Sequence, residues 1–221
     1  MNLYKFRSVA GDSFKFTQDI FVNRRLYLPQ ASSLNDPNEG VGTVQINNEY
    51  RAWGNQILER NRRNEIRLCS FSQSYRSNVL WAHYANEHKG ICIEIDTGRL
   101  PPRSGIFRQV TYTDVTPTIP HNAQFDLREA FLNKTPEWAY EEEWRYISDD
   151  KSSSLLIGDE AISRVLVGAK FSEADMNWLV FWLDYYCSTR RVPIVKMKFA
   201  FNDYRLYEEH ELIGKATARD C

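Results

Sequence analysis

The chain has 221 residues, of which 43% are hydrophobic and 26% charged, the make-up of a folded globular protein and not of a disordered, collagen-like or membrane-embedded chain. Its 28 basic and 29 acidic residues leave a net charge of -1, so no global attraction to a polyanion is built in. The longest apolar run of its C-terminal half, Trp178 to Leu183, is six residues, far short of the ~20 of a membrane helix, and Lys5 and Arg7 interrupt what a secretory leader would keep apolar.

Four cysteines, Cys69, Cys92, Cys187 and Cys221, are scattered with no Cys-x-x-Cys pair, the pattern of reduced thiols, and the expectation is a cytoplasmic protein. Charge is uneven along the chain: residues 1–110 hold 15 basic and 10 acidic side chains, the remainder 13 and 19. A basic face on one side, or merely solvated charge, follows from that asymmetry.

In chain order, Leu3 to Arg7 alternates as a short strand and Asp12 to Asn23 reads as a helix capped by Asp12 or Ser13. Leu26 to Leu28 is a second strand, leading into the turn-rich segment Ser32 to Gly40. A helix is predicted over Ile46 to Arg63. Glu65 to Ser72 alternates as a strand, with Ile66, Leu68, Ser70 and Ser72 on one face. Ser77 caps a helix to His88. Gly90 to Asp96 and Phe107 to Val115 are strands by their β-branched and aromatic content, Asn122 to Asn133 is a helix, and Glu141 to Ser148 and Arg164 to Gly168 are strands. Ser172 caps an apolar helix to about Tyr186, and Ile194 to Tyr204 closes the chain as a strand. The expected architecture is α+β, one domain over residues 1–221, with a mixed sheet and flanking helices.

Glu141, Glu143 and Arg145 stand at alternate positions, so a strand places two carboxylates and a guanidinium on one face, with Trp144 and Tyr146 anchoring the other. Neighbouring carboxylates raise each other's proton affinity, the arrangement used to separate a base from a charge stabiliser; a solvated acidic strand edge is the alternative. Arg7 at the end of the first strand has the fork geometry that grips a diphosphate, or else makes an ordinary salt bridge. Ser70 and Ser72 face the same way on a strand, small enough to admit a ligand, and no Gly-x-Ser-x-Gly elbow surrounds them.

The loop Asn35-Asp36-Pro37-Asn38-Glu39 offers acid and amide groups for a metal, though turn chemistry accounts for the same residues. His83 and His88 are five apart and, with His121 and His210 the only others, supply a histidine metal site poorly. Arg51, Arg60, Arg62, Arg63 and Arg67, near Tyr50 and Trp53, form a basic and aromatic stretch suited to single-stranded nucleic acid or to a solvated helix face.

Taken in order, Leu3-Tyr-Lys-Phe-Arg7, Leu34-Asn-Asp-Pro37, Cys69-Ser-Phe-Ser72, Leu80-Trp-Ala-His-Tyr84 with His88-Lys-Gly90, and Trp138-Ala-Tyr-Glu-Glu-Glu-Trp-Arg145 resemble the motifs of a widespread bacterial family of unknown function over residues 3–170. Leu34 and Asn38 depart from that family's aromatic loop. An arginine strand first, a Ser-x-Ser strand in the middle and a Glu-x-Glu strand late resemble the ordered signature of arginine-serine-glutamate ADP-ribosyltransferases. That resemblance implies a split-sheet fold and an NAD-dependent transferase without metal, a toxin or phage-defence effector of the toxin–antitoxin kind restrained by an antitoxin protein. It implies Glu143 and Glu141 as catalytic, Arg7 on the NAD pyrophosphate, Ser70 or Ser72 on the nicotinamide ribose, and Tyr4, His83 and Tyr84 as further cofactor contacts. The basic stretch favours a nucleic-acid acceptor over protein. A metal-dependent nuclease using Asp36, Glu39, Glu94, Asp96 or the Glu141/Glu143 pair, and a non-enzymatic binding module, are the competing expectations.

Overall fold

The computed structural model describes residues 1–36, 38–40, 42–46, 49–53, 64–100, 105–120, 127–158, 160–186 and 191–209. In chain order its elements are β1 Asn2–Arg7, α1 Ser13–Val22, β2 Arg25–Tyr27, β3 Gly42–Ile46, β4 Glu49–Trp53, β5 Leu68–Ser72, α2 Asn78–Tyr84, β6 Ile91–Asp96, β7 Ile106–Gln109, β8 Thr111–Tyr112, β9 Thr118–Pro120, β10 Asn133–Lys134, β11 Glu143–Ile147, β12 Ser154–Leu156, β13 Ile162–Val167, α3 Glu173–Tyr186, β14 Ile194–Phe199 and β15 Leu206–Glu208. The chain is mixed α+β. Composition marks no boundary, yet the chain separates into two compact units, each discontinuous in sequence.

The first unit takes in Met1–Leu26, Ser72–Pro101 and Leu156–Cys221. Its strands run β15-β14-β13-β6-β1. Ile91, Cys92, Ile93 and Ile95 of β6 are all buried, a near-continuous apolar run that suits a strand covered on both faces. Strand β1 pairs with β6 antiparallel from Asn2 opposite Asp96 to Arg7 opposite Ile91, and Tyr4 also lies opposite Ser72. Helix α1 buries Thr17, Ile20 and Phe21, and its Phe14 and Phe21 rings sit 5.2 and 5.9 Å from the Trp182 ring of α3. That aromatic seam is the reason the α3 sequence is so apolar.

Helix α2 begins where Ser77 accepts a hydrogen bond from the Leu80 N–H, as its position predicts. It stops at Tyr84, short of the expected His88, because Asn86, Glu87 and His88 all take positive φ and turn the chain back towards β6. Gly90 closes this turn, donating to the Ala85 carbonyl at 2.7 Å; a Cβ there would collide with the Arg7 and Ala85 carbonyl groups.

The second unit comprises Tyr27–Phe71 and Pro102–Leu155. Within it β5 neighbours β11, and β11 pairs antiparallel with β7 from Trp144 opposite Gln109 to Ile147 opposite Ile106. Strand β3 pairs antiparallel with β4 and parallel with β9, and β8 runs parallel to β10. Ala31, Ile66, Leu68, Phe131, Leu132 and Ile147 form its apolar core.

The helix expected over 46–63 gives way to the β3–β4 hairpin over its described part. Ile46 pairs with Glu49 across a two-residue connection, and Thr43, Val44, Ile46, Tyr50 and Trp53 are strand formers whose preference outweighs the helical reading of the arginines. The expected helix over 122–133 is a 3-10 turn at Leu127–Leu132 followed by β10, its first residues lying outside the described ones. Glu141 is not part of the late strand: it ends a 3-10 turn at Pro136–Glu141, and Glu142 takes φ 44° before β11 begins. No helix among the described residues is long and apolar enough to cross a membrane.

A buried charge cluster as candidate functional site

In the second unit, five charged side chains converge: Glu39, Lys134, Glu141, Glu143 and Arg145, none more than 6% exposed. Different segments supply them. The Asp36–Gly40 turn brings Glu39, β10 brings Lys134, the 3-10 turn brings Glu141, and β11 brings Glu143 and Arg145 on one face through its two-residue period.

Arg145 donates Nε to Glu143 Oε1 at 2.6 Å and Nη2 to Oε2 at 2.9 Å, and its Nη1 donates to the Phe131 carbonyl at 2.6 Å while standing 2.7 Å from Glu39 Oε2. Lys134 Nζ lies 2.6 Å from Glu141 Oε2, 3.1 Å from Glu143 Oε2 and 3.4 Å from Glu39 Oε1. The Trp138 ring covers the same ammonium with its centroid 4.6 Å away. Ser70 hydrogen-bonds Glu143, and the Tyr112 hydroxyl accepts the Glu143 backbone N–H at 2.7 Å.

Burial alone would push the Glu143 carboxyl up, but the Arg145 guanidinium, then Lys134 and the Ser70 hydroxyl, hold it down at about 2. Burial works against the Lys134 ammonium too and is overcome by Glu143 and Glu39, which raise it; Glu143 and Glu39 raise Arg145 in the same way. Tyr112 is pushed up to about 12, first by burial. Glu143 is therefore a fixed anion at any physiological pH, suited to stabilising positive charge and unsuited to accepting a proton. Three carboxylates against two cations leave the cluster at net -1.

Of the residues singled out from the sequence, Glu39, Ser70, Glu141, Glu143 and Arg145 come together here. Ser72 instead bonds locally: its Oγ donates to the Ser74 carbonyl at 2.8 Å and accepts the Ser74 N–H at 3.0 Å. Arg7 belongs to the first unit and donates to Thr17 Oγ1 at 3.3 Å and the Ser13 carbonyl at 3.5 Å, tying β1 to α1. Tyr4, also in the first unit, has its ring 4.9 Å from that of Tyr75 and its hydroxyl pushed up to about 12, by burial and then by Glu94. His83 is exposed and lies edge-on to Tyr84 at 6.2 Å.

The basic stretch is not brought together as a helix: Arg51 lies on β4, Arg67 donates to the Leu28 carbonyl at 3.1 Å, and Arg60, Arg62 and Arg63 lie outside the described residues. Among the described residues no group of three or more His, Cys, Asp or Glu side chains is disposed to hold a metal ion. Glu94, a ligand in the metal alternative, is held by Arg164 and Asn2, and Asp96 accepts the Gly98 N–H. Sequence reasoning missed Lys134 and Tyr112, which sit in short segments without periodicity; the lone signal was a lysine flanked by Phe131-Leu132 and Pro136-Glu137-Trp138.

Residues 80–146 match the model of DUF2971, a protein family of unknown function. The matched stretch contains both Leu80-Trp-Ala-His-Tyr84 and Trp138 to Arg145, and hence Lys134, Glu141, Glu143 and Arg145. No curated protein and no solved structure matches the chain.

Proposed function

We propose that the chain is an NAD-dependent ADP-ribosyltransferase acting on a macromolecular acceptor. The observation that carries the reading is the hydrogen bond between Ser70 and Glu143, by which the serine of the middle strand and the glutamate of the late strand of the ordered signature meet. Within the first unit, Tyr4 of β1 stands opposite Ser72.

In such a transfer the bond from nicotinamide nitrogen to ribose carbon breaks with its electron pair leaving on nicotinamide, and an acceptor nucleophile bonds to that carbon and gives up its proton to water. The developing positive charge on the ribose calls for a permanent, immobile anion, which is what Arg145, Lys134 and Ser70 make of Glu143. In this reading Glu143 acts through its field and Arg7 holds the pyrophosphate. Nucleic acid enters as one class of acceptor to be tested beside protein, because the basic helix that favoured it is a hairpin where it is described.

The near-complete burial of all five charged groups favours a second reading, in which they only tie the second unit together and the chain is a non-enzymatic binding module. Label transfer from NAD separates the two. Ser70→Ala leaves every ion pair in place and is expected to lower transfer by ten-fold or more, with Arg7→Ala lower still and circular dichroism unchanged in both. Full transfer in both Ser70→Ala and Arg7→Ala overturns the assignment of the site, and no transfer by the wild-type chain overturns the transferase reading.

A further inference from the structure

A cleft of about 100 Å³ opens in the second unit between the Asp36 turn and the segments around β9 and β10, lined by Asp36, Asn38, Asp114, Asn133, Lys134 and Thr135 among others. Asp36 is 3% exposed. Its Oδ1 accepts the Asn38 N–H at 2.9 Å, but its Oδ2 is buried and has no hydrogen-bond partner among the described residues. A buried carboxylate oxygen left without a donor is costly, and native structures keep such groups where a ligand or ordered solvent completes them.

The electrical surroundings choose the kind of ligand. Lys134, on the wall of the cleft, is already engaged by Glu39, Glu141 and Glu143, and the cluster behind it carries net -1. Asp36 and the exposed Asp114 add two more negative charges at the cleft itself. An anion entering there meets unbalanced carboxylates, whereas a cation is drawn in. No aromatic ring is among the lining residues to stack against the plane of a guanidinium. A compact point charge with three donors is the better match.

We propose that this cleft binds a primary ammonium group, with Asp36 Oδ2 as its principal acceptor and Asp114 as a supporting charge. The group comes from a free diamine or from a lysine side chain. This site is independent of NAD chemistry, and the test involves no NAD, so its failure and that of the transferase reading are separate events.

Isothermal titration of the full chain with putrescine and with Nα-acetyl-lysine amide tests it, with Nα-acetyl-arginine amide, inorganic phosphate and ribose as comparators. At least one ammonium compound is expected to bind with a dissociation constant of about 1 mM or tighter, and Asp36→Asn, which keeps shape and removes charge, is expected to weaken it ten-fold or more. Binding by putrescine alone identifies the diamine as the source, and by the lysine derivative, a side chain. If Asp36→Asn does not fold, Asp114→Asn, a surface change, is expected to weaken binding about three-fold, and unchanged affinity there overturns the proposal. No binding by either ammonium compound, undiminished binding in Asp36→Asn, or tighter binding of the arginine derivative, phosphate or ribose also overturns it; solvent alone then completes Asp36.

Discussion

Arg145 holds both oxygens of Glu143, two residues away on the same strand, through hydrogen bonds of 2.6 and 2.9 Å in a site where each side chain is at most 3% exposed. This bidentate grip decides what Glu143 can do: an oxygen pair so occupied is a source of field and not a proton acceptor. It also makes the pair a point of vulnerability, because neither partner can lose the other without leaving a buried charge.

Arg145→Met is expected to destabilise the protein by about 3–5 kcal/mol, the usual cost of breaking a buried pair from one side. Arg145→Lys is expected to rescue little of it, since one ammonium cannot reproduce the two parallel donors. Urea denaturation of the two variants beside the wild type checks both statements.

Acid weakens the fold through Glu143. Its carboxyl is held down at about 2 in the folded chain, below the ordinary 4.5, so its contribution is fully present above about pH 4.5 and is lost as pH falls towards 2. Denaturation midpoints between pH 6 and 2 are expected to drop through that window. Glu143→Gln is expected to flatten the drop.

Lys134 balances three carboxylates, so its effect is coupled to each of them. Lys134→Met is expected to cost about 3–5 kcal/mol by itself. Combined with Glu39→Gln, which removes one of the three orphaned charges, the loss is expected to be smaller than the sum of the single losses by about 1 kcal/mol or more. A double-mutant cycle in denaturant measures that difference, and strict additivity contradicts the network.

In the first unit, Gly168 packs against the backbone of His88, where an added Cβ would fall 2.6 Å from the carbonyl carbon and closer still to its oxygen. Gly168→Ala is expected to lose about 1–3 kcal/mol or more, because backbone cannot step aside. Gly158→Ala, whose nearest neighbour would be the Arg99 carbonyl oxygen at 3.4 Å, is expected to be close to neutral. Thermal melts of the pair provide the comparison.

Strands β6 and β13 and helices α2 and α3 of the first unit are legible because their signals are local: β-branched runs in β6 and β13, a serine cap at Ser77, an apolar stripe in α3. Strand β15 is not, since its three residues carry no pattern of their own. The β3–β4 hairpin was not, since Arg51 and the arginines beyond it weigh towards a helix in a single-residue reading while cross-strand pairing decides the outcome. Glu143 and Arg145 stood out by their alternation on one strand. Glu141 reaches the same cluster by a different route, from a 3-10 turn with a left-handed residue after it, and not through the shared strand face. Lys134 and Glu39 come from 95 positions apart in the chain, and no spacing rule links them. The position of Arg7 at a strand end points to a ligand grip, whereas its hydrogen bonds to Thr17 and Ser13, a tie between β1 and α1, need the folded chain to be seen.

Release of nicotinamide from NAD by the purified chain, followed in the presence of cell protein, total RNA or single-stranded DNA, tests the transferase reading most directly. The account predicts release that depends on one of these acceptors, with ADP-ribose recovered on it, and loss of both signals in Ser70→Ala and Arg7→Ala chains that still fold. Intact NAD in every mixture, from a chain whose melting curve is cooperative, would contradict it and leave the buried cluster as the scaffold of a binding module.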